Sequence, residues 1–526
     1  MTYSELRKLH NDIFEAVLDK RLRDALQIVS RLIVQVSSSE MHNRYQSISD
    51  TYRNMIRYSF EFQPDPERAK IFNELQQSIL ELSDDIRETW IRDMDLFERK
   101  KAMARSARFE EQYAGKPDEV SLKLSRPGKP ELADNDEVEA IKNRDEFARD
   151  LFYYFWLQRR FTEIPSALLE QIVVGGDIEL HKKSLMISAL TLSMLRHFDR
   201  RKFNLLFEFS QHPESSVRQR AMIGLFLSVL IFSRRISLYR DIQERLMSIP
   251  DDKIFQERML AILIQFIRAS ETEEITRKIQ EEIVPEVMKM RSELEDKLNL
   301  DELLSKENFE EKNPEWENFF KDAPDVYQKL EQFSKMQIEG ADVFMGAFAM
   351  LKHFNFFREI PNWFVPFNAD NPEVHEAFRV FDGGANIPEF LESLEQSTVL
   401  CNSDKYSFCL NIQHVPEQQR KMMFDLFNME LKAMNEMMDD EVKLNTEARN
   451  KIVNTQYFQD LYRFFRLHSS RKEYENIFEQ RVDIFSNEPL RIIFEDVKLL
   501  RNLVEYYFAK DHYTEAIELF SWLNEK

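Results

Sequence analysis

Nine glycines and seventeen prolines in 526 residues fall well below ordinary usage, which is about 7% and 5%. Folds built from strands and tight turns need more of both, so a mostly helical chain is left. No GxGxxG and no GxxxxGK[ST] occurs among the glycines, which excludes the two commonest phosphate-cradling loops. HExxH, GxSxG and EF-hand spacings are missing as well. Two cysteines, Cys401 and Cys409, cannot build a disulfide framework, and no CxxC or histidine-rich tract accompanies them. A reducing, cytoplasmic setting is expected, with no cofactor. The first residues, MTYSELRKLHNDIFEAV, lack the unbroken apolar stretch of a signal peptide. The longest apolar run, Ala221 to Ser233, stops at Arg234 and Arg235; a bilayer needs about 18 such residues. A buried helix and no membrane span are expected there.

What the chain does have is apolar mass and negative charge. Hydrophobic residues make up 43% and phenylalanine alone numbers 43, enough for a large core. Against 93 Asp and Glu stand 72 Lys and Arg, a net charge of -21, which repels phosphate backbones and makes nucleic acid an unlikely partner.

Residues 1–114 read as an N-terminal helical region. Leu6, Leu9, Ile13 and Val17, then Ala25, Ile28, Val29, Leu32 and Ile33, keep helical spacing about a turn at Lys20-Arg21. Asp65-Pro66-Glu67 is a helix start, and Phe72, Leu75, Ile79, Leu82 and Ile86 form the seam of the helix that follows, expected to pack on a neighbouring helix. Residues 115–137, with three Pro and two Gly before Asn135, read as a linker loop.

Residues 138–292 repeat with a period of 37. The shift superposes Leu168, Leu205, Ile242 and Ile279, then Ile172, Phe209, Leu246 and Ile283. A second register joins Leu180, Val217 and Ile254; Leu185, Met222 and Met259; Met186, Ile223 and Leu260; and Ser188, Leu225 and Ile262. Two helices fit each period, with turns at Gly175-Gly176-Asp177, His212-Pro213-Glu214 and Pro250-Asp251-Asp252. The copy from His212 to Phe226, with Pro213, Val217-Arg218, Ala221 and Leu225, resembles the second helix of HEAT repeats. His181 and Phe255 replace Arg218 in the flanking copies, and Ser184 and Arg258 replace Ala221. The resemblance implies an all-α fold, a right-handed α-α superhelix (solenoid) of antiparallel helix pairs.

Residues 293–325 hold 12 acidic and 4 basic residues and read as an acidic connector. Residues 326–456 are a helical region around an aromatic block, His353 to Phe378, whose Pro361, Pro366 and Pro372 forbid one continuous helix. Its six Phe and Trp363 belong in a core, or else form a contact surface. This block is similar to segments of uncharacterised bacterial repeat proteins, a likeness that carries no activity. In residues 457–526, Asp460 to Phe478 shifted by 42 superposes on Asn502 to Phe520. The last copy resembles a tetratricopeptide repeat, with Leu503, Tyr507, Ala516 and Phe520 at its packing positions, although Val504 and Leu523 replace the usual small residues. Stacked units need caps, so this edge is expected to meet a partner, to self-associate, or to be continued by further repeats.

Candidate chemistry is thin. Asp439-Asp440-Glu441 points three ways around a helix, which does not suit a metal, and Cys401, Cys409 and His414 form at best a remote dyad. The candidate partner-binding residues are Lys182, Lys183, Arg218, Arg220 and Arg258, a basic stripe at the starts of the second helices, with Trp363, Tyr506, Tyr507, Phe520 and Trp522. The reading is a non-catalytic scaffold for a protein or peptide partner. The alternatives are an enzyme whose pocket lies between helical layers, and nucleic-acid binding through the stripe.

Overall fold

A computed structural model describes residues 2–60, 67–93, 97–125, 135–283, 340–379, 387–417 and 445–525, with 285, 336 and most of 419–428; among these residues there is no β-strand. α1 (Tyr3–Leu18) opens on a capping box: Thr2 Oγ1 accepts from the Glu5 N–H at 3.2 Å while the Glu5 carboxylate accepts from the Thr2 N–H at 2.7 Å. Lys20, at φ 62°, turns the chain into α2 (Leu22–Ile33), as its spacing predicts. α4 (Arg68–Asp93) packs on α1, α2 and α3 (Ser39–Phe60). Leu75, Ile79, Leu82 and Ile86 are buried, so this seam is spent within the chain. Asp65 and Pro66 lie outside the described residues.

The segment expected as a loop is partly helix. α5 (Phe97–Tyr113) is followed by α6 (Pro117–Leu124), which has Pro at its first position, Asp118 and Glu119 in its first turn, and Val120 and Leu124 buried. Proline read as punctuation is here a helix start. α7 (Asn135–Leu157) ends in the buried run Leu151–Trp156.

The 37-residue period lands on helix pairs: α8 (Glu163–Val174) with α9 (Leu180–Arg196), α10 (Arg200–Phe209) with α11 (Ser215–Ile236), and α12 (Arg240–Met247) with α13 (Lys253–Ser270), then the short α14 (Thr272–Lys278). All three turns fall where expected. Leu168, Leu205, Ile242, Ile172, Phe209, Leu246, Val217, Met222, Leu225 and Ile262 are buried, while Leu180 and Ile254, in the first turns of α9 and α13, are 40% and 58% exposed. α7, α9 and α11 pack in succession. α11 is the one helix among the described residues long and apolar enough to cross a membrane, and 78% of its apolar window is buried by the protein itself.

Two details hold this layer. Gly224 lets α9 approach α11, because a Cβ there would lie 2.4 Å from Thr191 Oγ1 and 2.9 Å from Leu206 Cδ2. Lys202, fully buried, aims its ammonium at the carbonyls of Gln158 and Arg159 (2.8 and 3.0 Å), just beyond α7, and at Ser193 O (3.4 Å) near the end of α9. The outward carbonyls of two helix ends favour a cation there, against a burial that pushes the amine down to about 7.

The C-terminal part contains α15 (Met345–Phe348), α16 (Pro372–Phe378), α17 (Ile387–Gln396), α18 (Asn402–Ile412), α19 (Thr446–Leu467), α20 (Glu488–Ile493), α21 (Val497–Ala509) and α22 (Tyr513–Glu525). α19 lies against both α11 and α13. Prolines break the aromatic block into 3-10 turns at Ala349–His353, Asn355–Arg358 and Ile360–Trp363. Its Phe356, Phe357, Trp363, Phe364, Phe367 and Phe378 are all buried. At the centre Arg463 bonds Asp404 (Nε to Oδ1, 2.9 Å) and Asp342 (Nη2 to Oδ1, 3.0 Å), and Lys352 Nζ bonds Asp404 Oδ1 at 2.8 Å. Two buried cations thus face two buried carboxylates, the pairing that burial of charge demands.

The 42-residue repeat is corrected in its first copy. α19 is a long helix, but the residues aligned with α22 form only the 3-10 turns Ser469–Glu473 and Ile477–Glu479. Polar side chains capture the backbone there: His468 Nδ1 accepts from Ser470 N–H, Asn476 Oδ1 from Phe478 N–H, and Asp483 Oδ1 from Phe485 and Ser486 N–H. Such local bonds compete with a helix. The connector 293–325 and Asp439-Asp440-Glu441 lie outside the described residues.

Candidate interaction surface

The basic stripe is not offered to solvent. Lys182, 3% exposed, donates to Leu124 O at 3.2 Å and pairs with Glu179 at 2.5 Å. Lys183 bonds Gly175 O, and burial pushes its amine below the usual lysine range. Arg218 donates to His212 O (2.8 Å), Pro213 O (2.6 Å) and Asn450 Oδ1 (3.0 Å), which ties the α10–α11 turn to α19. Arg220, 2% exposed, bonds Ser188 Oγ at 2.8 Å and lies 4.5 Å from the centre of the Tyr457 ring. Arg258, half-buried, pairs with Glu447 at 2.7 Å. Each position that looked like a repeating surface charge closes a turn or clasps a neighbouring helix. Trp363 is likewise interior: its Nε1 donates to Phe357 O at 2.8 Å.

Both cysteines are buried, and burial pushes both thiols up. His414 is exposed and stacks on Phe354. Nothing here prepares a thiolate. No group of three or more His, Cys, Asp or Glu among the described residues is placed to hold a metal ion.

The C-terminal pair is built differently. Asp496 Oδ1 caps α21 by accepting from Lys498 N–H at 2.7 Å. After α21, Asp511 at φ 62° reverses the chain, and His512 N–H returns to Tyr507 O at 3.0 Å. The inner face of α22 carries Ala516 and Leu519, 2% and 3% exposed, and half-buried Trp522, 5.7 Å from the Phe485 ring. Tyr507 is buried, with its hydroxyl pushed up by that burial. Tyr506 is half-buried, with the Arg268 guanidinium 5.3 Å from its ring.

An adjoining face of the same helix remains apolar and open. Tyr513, Ile517 and Phe520, at i, i+4 and i+7, are 52%, 64% and 44% exposed, and Phe508 on α21, 5.7 Å from the Tyr513 ring, is 60% exposed. Of the four aromatics expected at this edge, only Phe520 belongs to the open stripe. Tyr513, Ile517 and Phe508 are not among those expected from the sequence, although the i, i+4, i+7 spacing with Phe520 marks the first two. Beside the pair, a cleft of about 920 Å³ runs between α13, α14, α19 and α22. Six of its charged side chains pair with one another: Arg466 with Glu273 at 2.8 Å, Arg481 with Glu515 at 3.6 Å, and His512 with Glu271. Comparisons with protein-family models, with curated proteins and with solved structures find no match to this chain.

Proposed function

We propose that the chain is a non-catalytic scaffold: an α-solenoid of helix pairs, HEAT-like between α8 and α13 and tetratricopeptide-like at α21–α22, that holds a protein partner at its C-terminal edge. The observation that carries this is the stripe Tyr513, Ile517 and Phe520 with Phe508, four large apolar side chains left open together on one helix pair. Side chains at i, i+4 and i+7 on one helix are the anchors that an amphipathic helix lays into an apolar groove, so α22 is the entering helix and the occupant is an apolar groove on the partner protein. Such a scaffold works in the cytoplasm and needs no cofactor. Nucleic-acid binding loses its support, because four of the five stripe residues are buried.

The test is a photo-crosslinking residue placed at Ile517, at Phe520 and, as control, at exposed Arg501, in the cells that make the protein. The expected result is the apolar groove of one partner protein captured from 517 and 520 and not from 501. Equal capture from all three positions, or none, overturns the reading; capture of a second copy moves it to self-association.

A further inference from the structure

A second cavity, about 600 Å³, opens between α3, α4, α5 and the ends of α7 and α9. Five guanidinium groups line it: Arg44, Arg99, Arg159, Arg160 and Arg196. The wall holds two buried carboxylates, and each serves two arginines. Asp85 Oδ2 accepts from Arg44 at 2.6 Å and Arg160 at 2.8 Å; Glu88 Oε1 accepts from Arg99 at 2.5 Å and Arg196 at 2.6 Å. Burial pushes the Glu88 carboxyl up, but Arg196 and Arg99 pull it down to about 2. Asp85 is also held well down against burial, by His197 and Arg160. Both are therefore ionised at neutral pH. Glu81 reaches Arg160 at 2.8 Å, and Glu40 and Glu110 stand exposed at the rim.

Two arginines have donors to spare. Arg159 makes no ion pair among the described residues; its Nη1 reaches only Thr89 Oγ1, at 3.4 Å. Arg196 is 7% exposed, and its Nη1 meets no acceptor. The wall itself sets five guanidinium groups against three carboxylates, Asp85, Glu88 and Glu81, while Glu40 and Glu110 lie at the exposed rim, where solvent screens them. A buried donor without an acceptor is costly, and an incoming anion would supply one to both arginines. The cavity is of ligand size.

We propose that this cavity binds a small phosphorylated molecule. A planar carboxylate meets one or two coplanar guanidinium groups, whereas these arrive from α3, α5, α9 and the residues just after α7, and tetrahedral phosphate oxygens suit such convergence. The glycine-rich loops excluded from the sequence are not needed, because side-chain forks replace backbone amides.

The probe is inorganic pyrophosphate, followed by titration calorimetry and thermal unfolding at low ionic strength, with citrate and sulfate at matched ionic strength as comparators. One saturable site is expected, with a rise in Tm that saturates with it. Arg159→Gln should weaken binding roughly ten-fold or more, since a hydrogen bond to a charged group is lost, and should leave the Tm of the unliganded protein unchanged. Arg159→Lys, which keeps the charge and loses the fork, should also weaken binding and covers the case in which Arg159→Gln does not fold. Absence of saturable heat at millimolar pyrophosphate, equal binding by wild type and the variants, or a preference for citrate or sulfate would overturn the proposal. Ile517→Glu should leave pyrophosphate binding intact, which separates this site from the interaction surface.

Discussion

Gly224→Ala separates intrinsic helix propensity from packing, because the two act in opposite directions at this position. In the interior of a helix, alanine is favoured over glycine by about 1 kcal/mol. Against that, the new Cβ would sit 2.4 Å from Thr191 Oγ1, 2.9 Å from Leu206 Cδ2 and 3.3 Å from Thr191 Cβ. The leucine tip can rotate away. Thr191 is β-branched and stiff at χ1, is fully buried, and donates its hydroxyl to Ile187 O at 3.0 Å. Relief therefore requires breaking that bond or separating α9 from α11. Overpacking costs about 1–3 kcal/mol and a lost hydrogen bond about 1 kcal/mol, so the net loss expected is about 1–3 kcal/mol. Urea unfolding followed by circular dichroism measures it as a lower midpoint at unchanged slope. Adding Thr191→Ala should make room, so the double variant should be more stable than the sum of the singles by at least about 1 kcal/mol. A gain of about 1 kcal/mol from Gly224→Ala alone, the propensity value, would show that the helices do not approach as described.

Leu225→Ala, on the same helix with no exposed surface, should cost about 2–5 kcal/mol by urea unfolding; a loss below about 1 kcal/mol would refute the register. Lys202→Met takes the donor from Arg159 O, while Gln158 O keeps Ser193 Oγ and Ser193 O keeps the His197 N–H, and should cost about 1–3 kcal/mol; an unchanged midpoint would show that the ammonium does not hold the helix ends. Burial pushes Lys202 down to about 7, below its unfolded value near 10.5. The unfolded chain then holds more protons between the two, so this residue makes stability rise with pH across that window, and the rise should disappear in Lys202→Met. His468 is held down at about 4 by burial, so its contribution is complete above about pH 6.5 and is lost as pH falls from there toward 4, about 3 kcal/mol in all. His468→Asn keeps an acceptor for Ser470 N–H and should flatten that acid limb; an unchanged limb would place the sensitivity elsewhere.

The period of 37 was legible because it rests on side chains that alternate between core and turn, and a shift of the sequence against itself reveals them whatever they pack on. Leu185, Met222 and Met259 occupy one buried layer for that reason. What could not be read was which charges are interior. Lys182, Arg218 and Arg220 sit at helix starts, where solvated charge is the ordinary expectation, and only α19, more than 200 residues away, turns Arg218 inward. Asp84, Asp85 and Glu88 follow the same logic on α4: beside Leu82 and Ile86 they look like the wet flank of an amphipathic helix, yet Asp84 bonds buried Arg235, Asp85 faces arginines from α3 and from just beyond α7, and Glu88 faces arginines from α5 and α9. Long-range charge pairing has no period, so a single sequence does not display it. The 42-residue repeat misled for the opposite reason. Its apolar residues align, but the choice between a helix and a string of turns at 469–486 lies with His468, Asn476 and Asp483, which an apolar register ignores.

The position of α19 sets an order on the making of this protein. α11 is apolar along most of its length, and one of its walls is supplied by a helix in which Asn450 bonds Ser215 across 235 positions of sequence. At synthesis rates of about 5–20 residues per second, that wall leaves the ribosome roughly ten to fifty seconds after the helix it covers. During that interval α11 is a nascent apolar surface without its lid, and nascent chains arrested before residue 446 should bind holdase chaperones that chains released after residue 467 no longer need.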